Sequence, residues 1–216
     1  MTFPICLFVY NRLSPTQKTV EALQENILAS ESQLFIFSDG PKGDKDEKVE
    51  KVREYIRTIQ GFAEVHIIEA EQNKGLANSI IDGVTQVIKE YGVTIVLEDD
   101  LVTTPNFLLY MNEGLSKFEK NDQIMSICGY GLKIKKPVNY EVDVYLYGRS
   151  SSWGWGTWKD RWESVDWQLK DWYEFKKDKK AIRKFNRGGS DMFKMLKSVA
   201  EQGASSWAIR FCYAQF

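Results

Sequence analysis

The chain has 216 residues, with 29 Lys and Arg against 30 Asp and Glu and a formal net charge of −1. That length holds one good core, or one domain with a small lobe, and the near-neutral balance argues against a protein dominated by nucleic-acid backbone contacts. Cys6, Cys128 and Cys212 are widely spaced, with neither metal-ligand spacing nor a disulfide framework, and no stretch approaches the roughly 18–20 apolar residues of a membrane span.

Pro4 to Tyr10 is an apolar run that reads as a buried first strand with Cys6 as a buried thiol, and it ends in Asn11-Arg12. Ser14-Pro15-Thr16 then looks like a helix cap with proline in the first turn, and a helix is expected to about Ala29, with Val20, Leu23, Ile27 and Leu28 on one face. Leu34 to Phe37 is the second strand, closed by Ser38-Asp39-Gly40-Pro41. A charged loop from Lys42 leads into a helix through Ile59, anchored by Val49, Val52, Tyr55 and Ile56. Glu64 to Glu69 is a short third strand; Asn73-Lys74-Gly75 makes a turn; Leu76 to Tyr91 is an amphipathic helix with Ile80, Ile81, Val84, Val87 and Ile88 inward.

The next stretch carries the chemistry. Thr94-Ile95-Val96-Leu97 reads as a strand buried on both faces, and it runs straight into Glu98-Asp99-Asp100. Unpaired buried carboxylates are costly and three together repel, so these acids belong at the strand's C-terminal end, in a crevice, facing something cationic. Hard oxygen ligands suit Mg²⁺ or Mn²⁺, which take one or two carboxylates and complete their shell with water and substrate phosphates. The alternative is an acidic loop that biases Pro105 and the residues after it toward helix.

Asn106 to Phe118 is expected to be a helix, and Ile124 to Gly129 and Val142 to Tyr147 are strand candidates. From Ser150 to Trp158 small residues and tryptophans alternate. Trp158 and Trp162, four apart, share a helix face and read as core; the glycines beside Trp153 and Trp155 favour a ligand-facing loop whose indoles suit sugar C–H faces. Lys170 to Lys184 is basic and helix-like, a solvated face, or else a contact with an anionic membrane or lipid-linked acceptor. Ser190 to Gln202 should be a helix; Gly203 to Ser206 breaks it, and Trp207 to Phe216 starts a helix or strand. Because it stops inside an apolar run, the polypeptide is expected to be a C-terminally truncated piece of a longer one.

Strands alternating with helices predict an α/β fold with a mainly parallel, doubly wound central sheet and right-handed crossovers. The chain divides into an α/β half, residues 1–132, and a Trp-rich half, residues 133–216, of the same domain. In a parallel sheet the loops Asn11-Arg12, Asp39-Gly40, Asn73-Lys74-Gly75 and Glu98-Asp99-Asp100 converge on one edge. Arg12 offers a forked donor for phosphate, Asp39 an acceptor for a base imide N–H, and Gly75 a close backbone approach to a ribose.

Taken in order, Phe8 to Arg12, Phe37 to Gly40, Asn73 to Asn78, Val96 to Leu101, Ser152 to Gly156 and Ser206 to Arg210 resemble the GT-A-fold nucleotide-sugar glycosyltransferases, above all the N-acetylglucosaminyltransferase I-like group and its bacterial relatives. The resemblance covers nearly the whole chain, and it implies that residues 1–132 are the nucleotide-sugar-binding half and residues 133–216 the acceptor-side half of one catalytic domain. It implies that Asp100 binds Mn²⁺ or Mg²⁺, Asp99 holds the donor ribose, and Glu98 supports the site. Arg12 then faces the diphosphate with Asn11 beside it, Asp39 the uracil-type base, and Lys74 and Gly75 line the nucleotide. Gly154, Trp155 and Trp207 sit by the donor sugar and acceptor.

One position departs from that pattern. The inverting members carry an acidic general base two residues before the tryptophan matching Trp207, and here that residue is Ser205. A serine hydroxyl with no activating neighbour is a poor base at neutral pH. The base is then Asp191 or Glu201, or it is lost by substitution, or it lies in a further C-terminal portion. His66, the only histidine, is expected to pack or cap.

The expected function is a cytoplasmic, metal-dependent glycosyltransferase, inverting, that takes a sugar from a nucleotide diphosphate, a UDP-sugar, to a glycan or lipid-linked glycan hydroxyl. No nucleic-acid partner and at most peripheral membrane contact are expected. A catalytically silent glycan- or nucleotide-binding module is the alternative. A sugar nucleotidyltransferase ranks lower, because the first loop, Asn11 to Ser14, has no glycine.

Overall fold

The computed structural model describes residues 2–135 and 137–216. Six strands form one sheet: β1 (Ile5–Val9), β2 (Gln33–Ser38), β3 (Glu64–Glu69), β4 (Val93–Glu98), β5 (Ile127–Cys128) and β6 (Trp155–Trp158), in the order β3-β2-β1-β4-β6-β5. The first four are mutually parallel; β6 runs antiparallel to β4, and β5 antiparallel to β6. The predicted mainly parallel sheet is therefore present, closed on one side by an antiparallel addition.

Alternation along the strands assigns the two faces. Ile5, Leu7 and Val9 point to one side, with Leu34, Ile36, Ile95 and Leu97. That face is covered by α1 (Leu13–Gln24), α2 (Glu47–Ile56) and α4 (Phe107–Phe118), through Val20, Leu23, Val52, Ile56, Leu108 and Met111. Cys6, Phe8, Phe35, Phe37 and Val96 point to the other side, onto α3 (Leu76–Tyr91), whose Ile80, Val84, Val87 and Ile88 recur at helical spacing. Since both faces are covered, β1, β2 and β4 are continuous apolar runs.

Four short or mid-length helices follow β6: α5 (Lys159–Glu163), α6 (Trp172–Phe175), α7 (Lys179–Phe185) and α8 (Met192–Gln202), ahead of α9 (Trp207–Ala214). Trp207 and Phe211 of α9 join Trp155 and Trp162 on the α3 face of the sheet. Ile209 and Cys212, on the other side of α9, close a separate small core with Trp172, Phe175, Phe185, Met192 and Leu196. So α9 is the wall shared by sheet and lobe.

Several expectations differ from this structure. Helix α1 starts at Leu13, with Thr16 Oγ bonding to Arg12 O, so Ser14 is inside the helix rather than its cap. It stops at Gln24; Ile27 is exposed, and Ala29–Glu31 is a separate 3₁₀ turn. Val142 to Tyr147 has a strand-like alternation but no strand forms, and its apolar residues are exposed, because β6 and β5 already occupy the sheet edge beside β4. Trp155, expected in a ligand-facing loop, and Trp158, expected on one helix face with Trp162, both lie on the strand β6, while Trp158 and Trp162 are buried as expected of core.

Candidate functional site

The strand order reverses direction between β1 and β4, and ligands of open α/β sheets bind outside the carboxyl ends at such a switch point. Phe8 pairs with Glu98 across that boundary, so the loop residues beyond them, Asn11-Arg12 and Asp99-Asp100, emerge side by side. Arg12 donates from Nε and Nη2 to both oxygens of Asp99, and from Nη2 to Asp100 Oδ2 at 3.0 Å. Its Nη1 has no partner among the described residues, which leaves two of its five N–H donors for an incoming anion. The Arg12 and Asp100 side chains are 50% and 48% exposed, whereas that of Asp99 is 7% exposed. Thus Asp99 orients Arg12 from beneath, and Arg12 and Asp100 form the open rim.

The electrostatics reflect that layering. Burial, reinforced by Asp100 and Asp99, pushes Glu98 from its ordinary 4.5 to about 7. Burial also pushes Asp99 up, with the Arg12 hydrogen bond holding against it. The same hydrogen bond from Asp99 raises Arg12 further, so that it stays charged. Three carboxylates on one strand tip with one cation is an unbalanced set, and extra positive charge at the rim would relieve it. Among the described residues no three His, Cys, Asp or Glu side chains converge on one point. The chain offers the half-exposed Asp100 alone, which fits a hard divalent ion that fills the rest of its shell from water and phosphate.

Beyond β2 and β3 a second group assembles on the same edge. Asp39 is buried, and its N–H bonds to Val9 O at 3.0 Å, which ties it to the end of β1. Its Oδ1 accepts from Gly40 N–H and Lys74 N–H at 2.9 and 2.8 Å; its Oδ2 accepts from Gly75 N–H and Asn73 Nδ2, both at 3.0 Å. Gly75 starts α3 at φ +76°, a conformation that disfavours a side chain, and its notional Cβ faces open space. The Lys74 ammonium turns away to Asp82 at 2.9 Å. All four sequence-predicted loops thus reach one edge, in two bonded pairs joined through Asp39 and Val9.

The C-terminal site residues are arranged differently from expectation. Trp155 on β6 pairs with Val96 of β4 and is fully buried, stacked on Trp207 at 4.8 Å and Trp162 at 5.8 Å between ring centroids. Trp207 is buried in the same stack, so neither indole is a sugar platform. Gly154, at φ +68°, breaks the alternation, so Trp153 and Trp155 do not share a side. Its Cβ would meet the Phe107 ring at 2.8 Å. Trp153 is 54% exposed and edge-on to Tyr130, itself 45% exposed, at 4.5 Å. The Gly129 N–H bond to Gly154 O, at 2.7 Å, holds the two together. Tyr130 carried no sequence signal, since its position depends on this long-range pairing.

The three candidates for the base are also placed. Asp191 precedes α8 and is bound by Arg149 at 2.9 and 3.1 Å, which holds it below the usual carboxylate range. Glu201 is held down by Lys176, with Trp172 as a second donor, in the lobe. Ser205 lies in the link before α9, with no hydrogen bond from its hydroxyl among the described residues. His66 stacks on Phe35 at 4.4 Å and meets Glu64, a packing role.

Sequence comparison identifies the family. The model for Glycosyl transferase family 2 matches residues 5–190. The chain belongs to this family. Its fold is that of the GT-A glycosyltransferases, as in the mannosyltransferase PcManGT from Pyrobaculum calidifontis, solved with GDP-Man and Mn²⁺: TM-score 0.55 and 11% identity over 99% of this chain and 73% of that one. S. aureus TarS 1-349 aligns at TM-score 0.47 and 12% identity over 73% of this chain and 47% of that one. The same fragment in complex with UDP-GlcNAc aligns at TM-score 0.46 and 13% identity over 72% and 45%. The chain therefore spans less than half of the TarS chains it matches. No curated protein is similar enough in sequence to count as a match. Among the described residues no helix is long and apolar enough to cross a membrane.

Proposed function

We propose that this glycosyltransferase is metal-dependent and moves a hexosyl or N-acetylhexosaminyl group from a UDP-sugar to a glycan or lipid-linked glycan hydroxyl, inverting the anomeric centre. The observation that carries the proposal is the Arg12–Asp99–Asp100 arrangement at the β1/β4 switch point. A sugar diphosphate leaves readily only when its developing charge is met by preorganised cations. Arg12, fixed by Asp99, supplies one through its open Nη1. Asp100 would hold Mn²⁺ or Mg²⁺, which supplies Lewis-acid stabilisation of the departing phosphate. Lys74 and Gly75 line the nucleoside, and Trp153 with Tyr130 offers the apolar face for a sugar ring.

A second reading rests on the candidate bases. Asp191 and Glu201 are both held low by cations and Ser205 is a hydroxyl, so donor binding with poor turnover is the outcome if no other acid reaches the acceptor.

Thermal-shift measurement with UDP-sugars, with and without Mn²⁺, tests the proposal. A ligand at about 100 times its Kd stabilises by about 2.7 kcal/mol. A midpoint rise that needs UDP-sugar and Mn²⁺ together, and is lost in Asp100→Ala, is expected. An equal rise in the Asp100→Ala variant removes the metal assignment.

A further inference from the structure

Past the acid-tipped end of β4 the sheet edge turns aromatic. Cys128 pairs with Trp155, and Trp155 with Val96. Two residues further along each chain, Tyr130 and Trp153 come level with Glu98. A second aromatic pair begins where this one ends. The Tyr145 hydroxyl donates to Leu132 O at 2.9 Å, and a Cβ on Gly131 would lie 2.9 Å from that hydroxyl oxygen. Tyr145 meets the ring of Tyr147 edge-on, at 6.4 Å between centroids. Tyr147, 44% exposed, donates to Gly188 O at 3.4 Å, which ties it to the 3₁₀ turn Asn186–Gly188 ahead of α8. On the α4 side, the Tyr110 hydroxyl donates to Cys128 O at 3.1 Å. Rings therefore line a path from the tip of β4 out to the lobe.

The chemistry of the path selects its occupant. The hydroxyls of Tyr110, Tyr145 and Tyr147 are fastened to main-chain carbonyls, so those rings are held in place before anything binds, and little ordering is lost on contact. Each fastened hydroxyl gives away its proton and keeps acceptor lone pairs for a sugar O–H. The ring faces suit the apolar C–H face of a pyranose. We infer that the path is an extended acceptor subsite: Trp153 and Tyr130 take the sugar ring nearest transfer, and Tyr145 and Tyr147 take a ring behind it, so the acceptor is an oligosaccharide and not a single sugar. This rests on the glycan-acceptor reading proposed above and names the class of acceptor within it.

Trp153 is the one exposed tryptophan among the described residues, so its indole N–H signal in NMR reports occupancy of the path. Cello-, chito- and maltooligosaccharides of increasing length, from a single ring upward, are titrated against the chain without nucleotide or metal. At least one series should shift that signal, with affinity rising about tenfold from the single ring to the trisaccharide. Tyr147→Ala should remove that gain and leave single-ring affinity unchanged; Tyr147→Phe, which keeps the ring, should retain it. Equal affinity at every length overturns the inference. So does a Tyr147→Ala loss as large for the single ring as for the trisaccharide, or no shift by any series. Val142 and Leu146 are exposed beside the path, so cosedimentation with vesicles of phosphatidylglycerol and phosphatidylcholine is measured in parallel. Vesicle binding that Tyr147→Ala abolishes, with no sugar binding, assigns the path to a membrane surface and overturns the inference too. Because nucleotide and Mn²⁺ are absent, length-dependent sugar binding stands even where UDP-sugars give no thermal shift, and that second result contradicts the donor-site reading alone.

Discussion

At the scale of single residues the site is a problem in charge balance. Glu98 is pushed to about 7 by burial and by its two acidic neighbours, against an ordinary 4.5. A carboxyl whose folded value is raised binds more protons folded than unfolded, so its favourable contribution is full below the unfolded value and is lost as pH rises through the folded one. In chelator, stability should decline between pH 4.5 and about 7 on account of this group. Glu98→Gln removes the charge and keeps the shape. Melting midpoints of the two proteins should coincide at about pH 4, and the variant should be higher at about pH 8 by about 2–4 °C, the shift that 1 kcal/mol produces in a chain of this size. Midpoints that stay coincident in the alkaline arm would show that Glu98 is solvated well enough to ionise freely. Much of this was legible in the sequence: an apolar run ending in Glu98-Asp99-Asp100 already requires a cation. That the first cation is Arg12, and that Asp99 is consumed in holding it, depends on β1 lying next to β4. Asp39 illustrates the same limit: Asp-Gly after a strand reads as a turn or an exposed acceptor, and only the fold brings four donors to it.

Among the elements, β6 is where the sequence misled. Trp155-Gly156-Thr157-Trp158 shows no apolar–polar alternation, because both its faces are covered: Trp155 faces α9, and Trp158 bonds through its indole N–H to Leu115 O on α4 at 3.1 Å. The glycines that suggested a ligand loop serve packing. Gly156 lies 2.8 Å, measured from a notional Cβ, from Thr94 O and 2.9 Å from a Leu115 methyl. Gly156→Ala must push β6 away from β4 and α4, and overpacking of this kind costs about 1–3 kcal/mol. Urea unfolding should show that loss; an unchanged midpoint would mean that β6 is free to shift. The helices were easier to read, since α3 repeats Ile80, Val84, Val87 and Ile88 on one face. The early end of α1 at Gln24, by contrast, goes with the loop at Asn26, whose side chain bonds to Ala22 O and Leu108 N–H.

Across the whole molecule, the first hundred residues form a frame, the proposed donor side, whose loops lie on one edge by topology alone, and such a frame could be foreseen. The rest closes the sheet with an antiparallel strand and a stack of tryptophans, and nothing local in the sequence specifies that closure. The central proposal is that Asp100 at the β1/β4 switch would hold a divalent ion, which would supply positive charge to a diphosphate there. Paramagnetic broadening by Mn²⁺ in the presence of UDP reads its position directly. Amide signals of Asp100, Leu101 and Arg12 should vanish first, those of Lys74 and Gly75 should weaken, and α7 should be untouched, with the pattern absent in Asp100→Ala. Broadening centred away from the β4 tip, or surviving in that variant, would contradict the account.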